Sequence, residues 1–130
     1  MRLLLDTHIL LWWLSDNTAL PAAAKVAIAD ASSEIFVSAA TAWEIAIKRS
    51  LGKLEFPVAQ LSEMLAAEGF ERLGITVDHA VVAGGLPPHH NDPFDRMLIA
   101  QAQHEGLTLV TVDAMIARYA VAVLGPLPAR

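Results

Sequence analysis

The segment from His89 to Asp113 constrains the fold more than any other part of the sequence. Asp92 is a good N-cap, and Pro93 suits the first helical position, where its missing N–H costs nothing. Gly106 is typical of the left-handed residue that ends a helix. The apolar stretch Leu107–Val110 has the length of a short strand, and an aspartate follows soon after it. The segment therefore predicts a helix, a tight turn and a strand in succession.

Asp95 occupies an unusual position on that helix. It precedes Leu98, Ile99 and Ala102 by three, four and seven residues, so it lies along an apolar face. Asp95 could be the third-position acid of a capping box opened by Asp92. A residue that served only as a cap would more naturally point to water. Capping explains Asp92 well, whereas Asp95 is a candidate for a functional carboxylate.

Short apolar strands alternate with helices along the chain. The predicted strands are Leu3–Leu5, Glu34–Ser38, Arg72–Ile75, Leu107–Val110 and Val121–Leu124. The first three predicted helices are Ile9–Leu14 after an N-cap at Thr7, one opened by Pro21, and one capped by Ser38 or Thr41 that ends at Gly52. The next three run from Val58 to Gly69, from Thr76 through Val82, and onward from Asp92. A helical turn is expected at Met115–Tyr119, and a loose tail at Pro126 and Pro128. This alternation predicts an α/β fold with a parallel sheet covered on both faces.

Composition excludes several classes of protein. The 130 residues predict one domain, 1–130, that can bury a substantial core. Asp6 and Asp16 bracket the longest apolar run, which falls short of the roughly 20 residues of a membrane span, and the early acid makes a poor signal peptide. The absence of cysteine fits a cytoplasmic location, and the net charge of −5 argues against an extensive basic surface for nucleic acid.

Four acids are expected to converge at one edge of the sheet. Ligands of such folds bind beyond the carboxyl ends of the strands, where Asp6 ends the first strand and Asp113 follows the fourth. Glu44 and Asp95 lie early in helices that begin at the same edge. Each has a local alternative: Asp6 could cap a helix, Asp113 could open a turn, and Glu44 could pair with Lys48. Their joint placement favours a common site.

Converging carboxylates favour a hard divalent cation, Mg²⁺ or Mn²⁺, because like charges in one site raise one another's pKa. Such a cation activates water and neutralises phosphate, so the pattern indicates metal-assisted phosphodiester hydrolysis. Zinc is disfavoured because His89 and His90 are adjacent and the other histidines lack ligand spacing. We interpret the histidines mainly as surface or capping residues, with His89 and His90 at the rim of the site.

Four ordered segments of the chain resemble the PIN-domain family, and most closely its VapC-like toxins of bacterial type II toxin–antitoxin systems. They are Leu3–His8, Val37–Lys48, His90–Ala102 and Leu109–Asp113. The resemblance covers nearly the whole chain. It implies a three-layer α/β/α fold with a short, mainly parallel five-stranded sheet. It also implies a Mg²⁺- or Mn²⁺-dependent endoribonuclease toxin with an RNA substrate, usually a cytoplasmic homodimer, held inactive by a cognate antitoxin protein.

The resemblance also assigns roles to individual residues. The family's four acids, which bind metal and catalyse, fall on Asp6, Glu44, Asp95 and Asp113. Thr111 matches the Ser/Thr that helps to hold the site, and Thr7 and Asp92 are further supporting candidates. Asp92 has two possible roles, as a metal ligand or only as the cap of the helix.

Basic side chains near the acids have two interpretations. Lys48, Arg49 and Lys53 cluster after Glu44, and Arg96 follows Asp95. They could provide favourable charge at a helix C-terminus. Alternatively, Lys48, Arg49 and Arg96 contact the phosphates of RNA beside the metal.

The helix Ile9–Leu14 is apolar on nearly all sides, although a helix with a single buried face needs apolar residues on only one side. A segment of the antitoxin could bind the additional apolar surface and extend an arginine towards the carboxylates.

Other classes of protein also gather acids at strand ends. A phospho-receiver domain requires an acid pair closing the first strand, but Asp6 stands alone. A haloacid-dehalogenase-type phosphatase requires a second aspartate two residues on, where this chain has His8. A catalytically idle PIN-like binding module remains an alternative, which metal-dependent cleavage would distinguish from the enzyme.

Overall fold

A computed structural model describes residues 1–125 and contains one five-stranded sheet. The strands are β1 (Arg2–Leu5), β2 (Glu34–Ser38), β3 (Glu71–Leu73), β4 (Thr108–Val110) and β5 (Val123–Leu124). Their spatial order is β3-β2-β1-β4-β5, and every neighbouring pair is parallel. The predicted fold class is therefore confirmed.

Six α-helices connect the strands and cover the sheet. They are α1 (Thr7–Leu14), α2 (Ala22–Ala29), α3 (Ala39–Ser50), α4 (Leu61–Glu68), α5 (Val77–Gly84) and α6 (Pro93–Glu105), with short 3₁₀ helices at Val58–Gln60 and Ile116–Arg118. Successive side chains of a strand point to opposite faces. Accordingly, Leu3 and Leu5 pack in the core that includes residues of α1 to α4, and Leu4 packs in the core formed with α6. All three leucines are fully buried, as a central parallel strand requires.

Several boundaries differ from the sequence prediction. The first helix begins at Thr7 with Asp6 as its N-cap, whereas Thr7 was expected to be the cap. β3 ends at Leu73, because the chain leaves the sheet before Thr76 caps α5. β5 is limited to Val123 and Leu124, which pair with Leu109 and Val110.

The end of α6 agrees with prediction. Gly106 follows the helix with φ of 68°, the left-handed conformation that glycine adopts without strain, and the chain then enters β4. This turn returns the chain to the centre of the sheet, where β4 pairs with β1.

Within residues 1–125, no helix is both long and apolar enough to cross a membrane. The expected loose tail at Pro126 and Pro128 lies outside the described residues.

Candidate metal centre

The structure brings the four predicted acids together around one cavity of about 120 Å³. Its lining residues are Asp6, Thr7, His8, Glu44, Lys48, Asp92, Asp95, Val112 and Asp113. The acids come from the end of β1, from α3, from the first turn of α6 and from the loop after β4. Parallel pairing of β2, β1 and β4 aligns these carboxyl ends, so the convergence follows from the sheet topology.

Asp6 is both a helix cap and a wall of the cavity. Only 5% of it is exposed, and its Oδ1 accepts a hydrogen bond from the backbone N of Ile9 at 2.9 Å. Burial raises the pKa of Asp6, against the opposing hydrogen bonds from Thr111 and Ile9, and the Asp113 charge raises it further. Thr111 is fully buried and was predicted to help to hold the site: it bonds to Asp6, lowering that pKa, and its hydroxyl accepts from the N–H of Asp113.

Glu44 is held by two neighbours. Its Oε1 accepts a hydrogen bond from the Thr7 hydroxyl at 2.5 Å, and its Oε2 lies 2.7 Å from the Lys48 ammonium. The hydrogen bond with Glu44 is the largest of the causes that raise the pKa of Lys48. The i,i+4 pair considered from the sequence is therefore present, yet it does not remove Glu44 from the cavity. Thr7 orients this carboxylate from the first turn of α1.

Asp95 carries the most perturbed carboxyl group of the site. Its pKa is raised to about 7: burial is the largest cause, the charges of Asp92, Asp6 and Glu44 act in the same direction, and His90 opposes them. The capping-box interpretation of Asp95 is wrong. Asp92 Oδ1 accepts from the N–H of Phe94 and of Asp95, but the N–H of Asp92 donates to His90.

Asp113 completes the group and is bound to the same histidine. Its Oδ2 lies 2.8 Å from His90 Nε2, which also lies 3.0 Å from Asp95 Oδ2. Its Oδ1 accepts from the N–H of Met115 at 2.9 Å, so the expected turn is present as well. Its own N–H donates to the Thr111 hydroxyl at 3.0 Å.

His90 is the residue of the site that sequence reasoning underestimated. It was placed at the rim, whereas it contacts two of the four acids. A signal was present in the sequence: an N-cap residue has a backbone N–H that needs an acceptor, and His90 stands two residues before Asp92. The pairing with Asp113 could not be predicted, because 23 residues separate them.

The three predicted phosphate-binding cations have different surroundings. Lys48 lines the cavity, whereas Arg49 is exposed and does not line it. Arg96 donates from its two terminal nitrogens to the carbonyls of Ala83, Leu86, Pro87 and His90. This guanidinium holds the loop before α6 in place, and its terminal nitrogens are already bonded to carbonyls rather than available to phosphate.

The residues present fit a hard divalent cation. Five carboxylates line the cavity, and in the described part of the chain the ammonium of Lys48 is the cation that faces them at bonding distance. Oxygen ligands of this kind suit Mg²⁺ or Mn²⁺. Burial and the neighbouring acids raise the pKa of Asp95, and a bound cation would oppose both effects by stabilising the carboxylate.

This chain, with its acidic centre at the carboxyl edge of a parallel sheet, is similar to proteins of a known family. Residues 3–122 match the model of the PIN domain family. The chain is also 35% identical over 112 residues to Ribonuclease VapC22 of Mycobacterium tuberculosis, covering 85% of each chain. The chain therefore belongs to the PIN domain family.

Solved structures support the same fold. VapBC from Salmonella typhimurium bound to DNA matches with a TM-score of 0.71 and 18% identity, over 96% of this chain and 98% of that one. VapBC2 from Rickettsia felis, bound to a promoter DNA fragment, matches with a TM-score of 0.69 and 16% identity over the same shares. A toxin–antitoxin complex from Klebsiella pneumoniae gives 0.66 and 22%, over 93% and 94%.

Proposed function

We propose that this protein is a Mg²⁺- or Mn²⁺-dependent endoribonuclease that acts as the toxin of a toxin–antitoxin pair. The observation that carries this proposal is the convergence of four acids from distant segments on one cavity. The similarity to Ribonuclease VapC22 supports RNA as the substrate. A catalytically idle PIN-like module would not need these carboxylates in one site, where burial and neighbouring charges raise the pKa of Asp95.

In this proposal Asp6, Glu44, Asp95 and Asp113 hold the cation. A divalent cation supplies activation of water at neutral pH and neutralisation of the charge that develops on phosphate. Thr7 fixes the Glu44 carboxylate and Thr111 contacts Asp6, so both acids are oriented before substrate binds.

The basic residues proposed to bind the phosphates of RNA are Lys48 and Arg49. Lys48 is 40% exposed at the cavity and can approach a phosphate while still paired with Glu44. Arg49 follows it in the last turn of α3, where it is exposed.

Incubation of purified, partner-free protein with total RNA tests the activity. We expect cleavage with Mg²⁺ or Mn²⁺ and none after EDTA, with recovery when the metal is restored in excess. Fragment mapping should show internal cuts. Cleavage that persists in EDTA would contradict the metal dependence, and no cleavage with either metal would favour the idle module.

Metal affinity should increase with pH because protons and metal compete for Asp95. With its pKa at about 7, roughly one carboxyl in eleven is ionised at pH 6 and ten in eleven at pH 8. We therefore expect Mn²⁺ affinity to rise about tenfold between these values. Calorimetric titration at both pH values measures it, and Asp95→Asn should remove most of the dependence. A pH-independent affinity in the wild type would contradict this assignment.

An antitoxin and a second copy of the chain are the proposed protein partners. The structural neighbours include toxin–antitoxin complexes. An apolar cavity of about 320 Å³ beside α1 is lined by Leu11, Leu14, Leu54, Phe56 and Met64, among others, and fits an apolar helix. The homodimer implied by the family resemblance would have exposed apolar side chains available on α5, at Val77 and Val81.

A further inference from the structure

His90 is held by hydrogen bonds at each of its backbone and ring polar atoms. Its backbone N–H donates to the Tyr119 hydroxyl at 2.7 Å, and its carbonyl accepts from Arg96 at 3.2 Å. Tyr119 in turn donates to the carbonyl of Pro87 at 2.8 Å, which fixes the same loop. A histidine at the rim with no role would not need this support.

The ring contacts define which nitrogen carries the proton. The backbone N–H of Asp92 donates to His90 Nδ1 at 3.1 Å, so Nδ1 is an acceptor and has no hydrogen. In the neutral ring the hydrogen then lies on Nε2. This N–H donates to Asp113 Oδ2 at 2.8 Å, and Nε2 also lies 3.0 Å from Asp95 Oδ2. One ring nitrogen therefore contacts two carboxylates, with its hydrogen bond to Asp113.

Direct binding of a cation by this nitrogen conflicts with the ring's other contact. A metal-bound Nε2 carries no proton, so the neutral ring would have its hydrogen on Nδ1. That hydrogen would point at the N–H of Asp92, and two donors would face each other. Ligation by His90 would require the ring or the first turn of α6 to move.

We propose that His90 is a positioning residue, whose Nε2–H donates to Asp113 and lies against Asp95 until a cation takes over the two carboxylate oxygens. This inference rests on the proposed metal centre. This histidine bridge between the two carboxylates offsets their repulsion in the metal-free protein, and a cation must displace it to bind. The cation replaces the hydrogen bond and is not bound by the imidazole.

The variant His90→Phe tests the bridge, because it keeps a ring but removes both nitrogens. It should lower the melting temperature of the metal-free protein, since the carboxylates repel without the donor. It should also bind Mn²⁺ about tenfold more tightly, the factor that corresponds to one hydrogen bond to a charged group no longer competing with the metal. Calorimetry measures the affinity, independently of RNA cleavage.

Two matched variants control the comparison. His90→Gln keeps an amide donor near the position of Nε2 and should restore affinity and melting temperature towards wild type. His89→Gln removes the neighbouring imidazole, which packs against the Tyr119 ring at 5.1 Å and does not line the cavity, and should leave Mn²⁺ affinity unchanged. Unchanged or weaker Mn²⁺ binding in a folded His90→Phe protein would overturn the proposal.

A measurement on the unaltered protein decides the question even if His90→Phe fails to fold. Nitrogen-15 NMR of the His90 imidazole should show the proton on Nε2 both without metal and with saturating Mg²⁺. Loss of that proton on Mg²⁺ binding would mean that the ring is a ligand, and would overturn the proposal. A wild-type protein that binds neither Mg²⁺ nor Mn²⁺ at millimolar concentration would instead refute the metal centre, and with it the replacement step.

Discussion

Replacing Asp6 by asparagine should reduce metal-dependent RNA cleavage at least about a hundredfold, because a metal's stabilisation of transition-state charge is worth several kcal/mol. The fold should survive. Asparagine caps helices as well as aspartate does, so the hydrogen bond to Ile9 can be retained. Since burial raises the pKa of Asp6, removal of its charge should leave the metal-free protein as stable as the wild type, or more so.

Single-turnover cleavage and thermal unfolding, with and without Mn²⁺, measure both effects. The wild type should melt at a higher temperature with Mn²⁺, and Asp6→Asn should lose that increase. Asp92→Asn is the matched control, because it removes a neighbouring charge while keeping the cap on α6. Asp92→Ala should cost about 1 kcal/mol of stability and retain cleavage. An equal loss of cleavage in Asp92→Asn would show that Asp92 also binds metal.

Expression of the protein alone should arrest growth, and co-expression with its cognate antitoxin should restore it. The physical basis is the proposed cleavage of RNA at the acidic centre and an apolar cavity beside α1 that a partner helix would fill. An arginine extended from that helix would compete with metal for the carboxylate oxygens. We expect no colonies when the protein is expressed alone and normal plating efficiency when the antitoxin is co-expressed.

Glu44→Gln separates catalysis from partner binding in this experiment. The amide keeps an oxygen for the Thr7 hydroxyl but loses the charge that pairs with Lys48 and would bind metal. We expect a non-toxic protein that still copurifies with the antitoxin, because the substitution leaves the apolar cavity lined by Leu11 and Phe56 unchanged. Normal growth on expression of soluble wild-type protein would contradict the toxin proposal.

The sequence determined the features that depend on local chemistry. Asp92, Pro93 and Gly106 gave the start and end of α6, since capping and left-handed turns involve only neighbouring residues. The leucines before Asp6 predicted a strand buried on both faces, and the alternation of strands and helices predicted the parallel sheet. From that topology alone, the acids could be placed at one edge.

The tertiary structure decided how those acids are held. Thr7 contacts Glu44 across 37 residues, and His90 contacts Asp113 across 23. The terminal nitrogens of Arg96 bind loop carbonyls, which the positive charge alone could not indicate. Local propensity has no information on contacts between distant segments, because these depend on the side-chain orientations that the packed sheet and helices impose. The convergence of the acids was therefore predictable from sequence, and the contact of His90 with two of them was not.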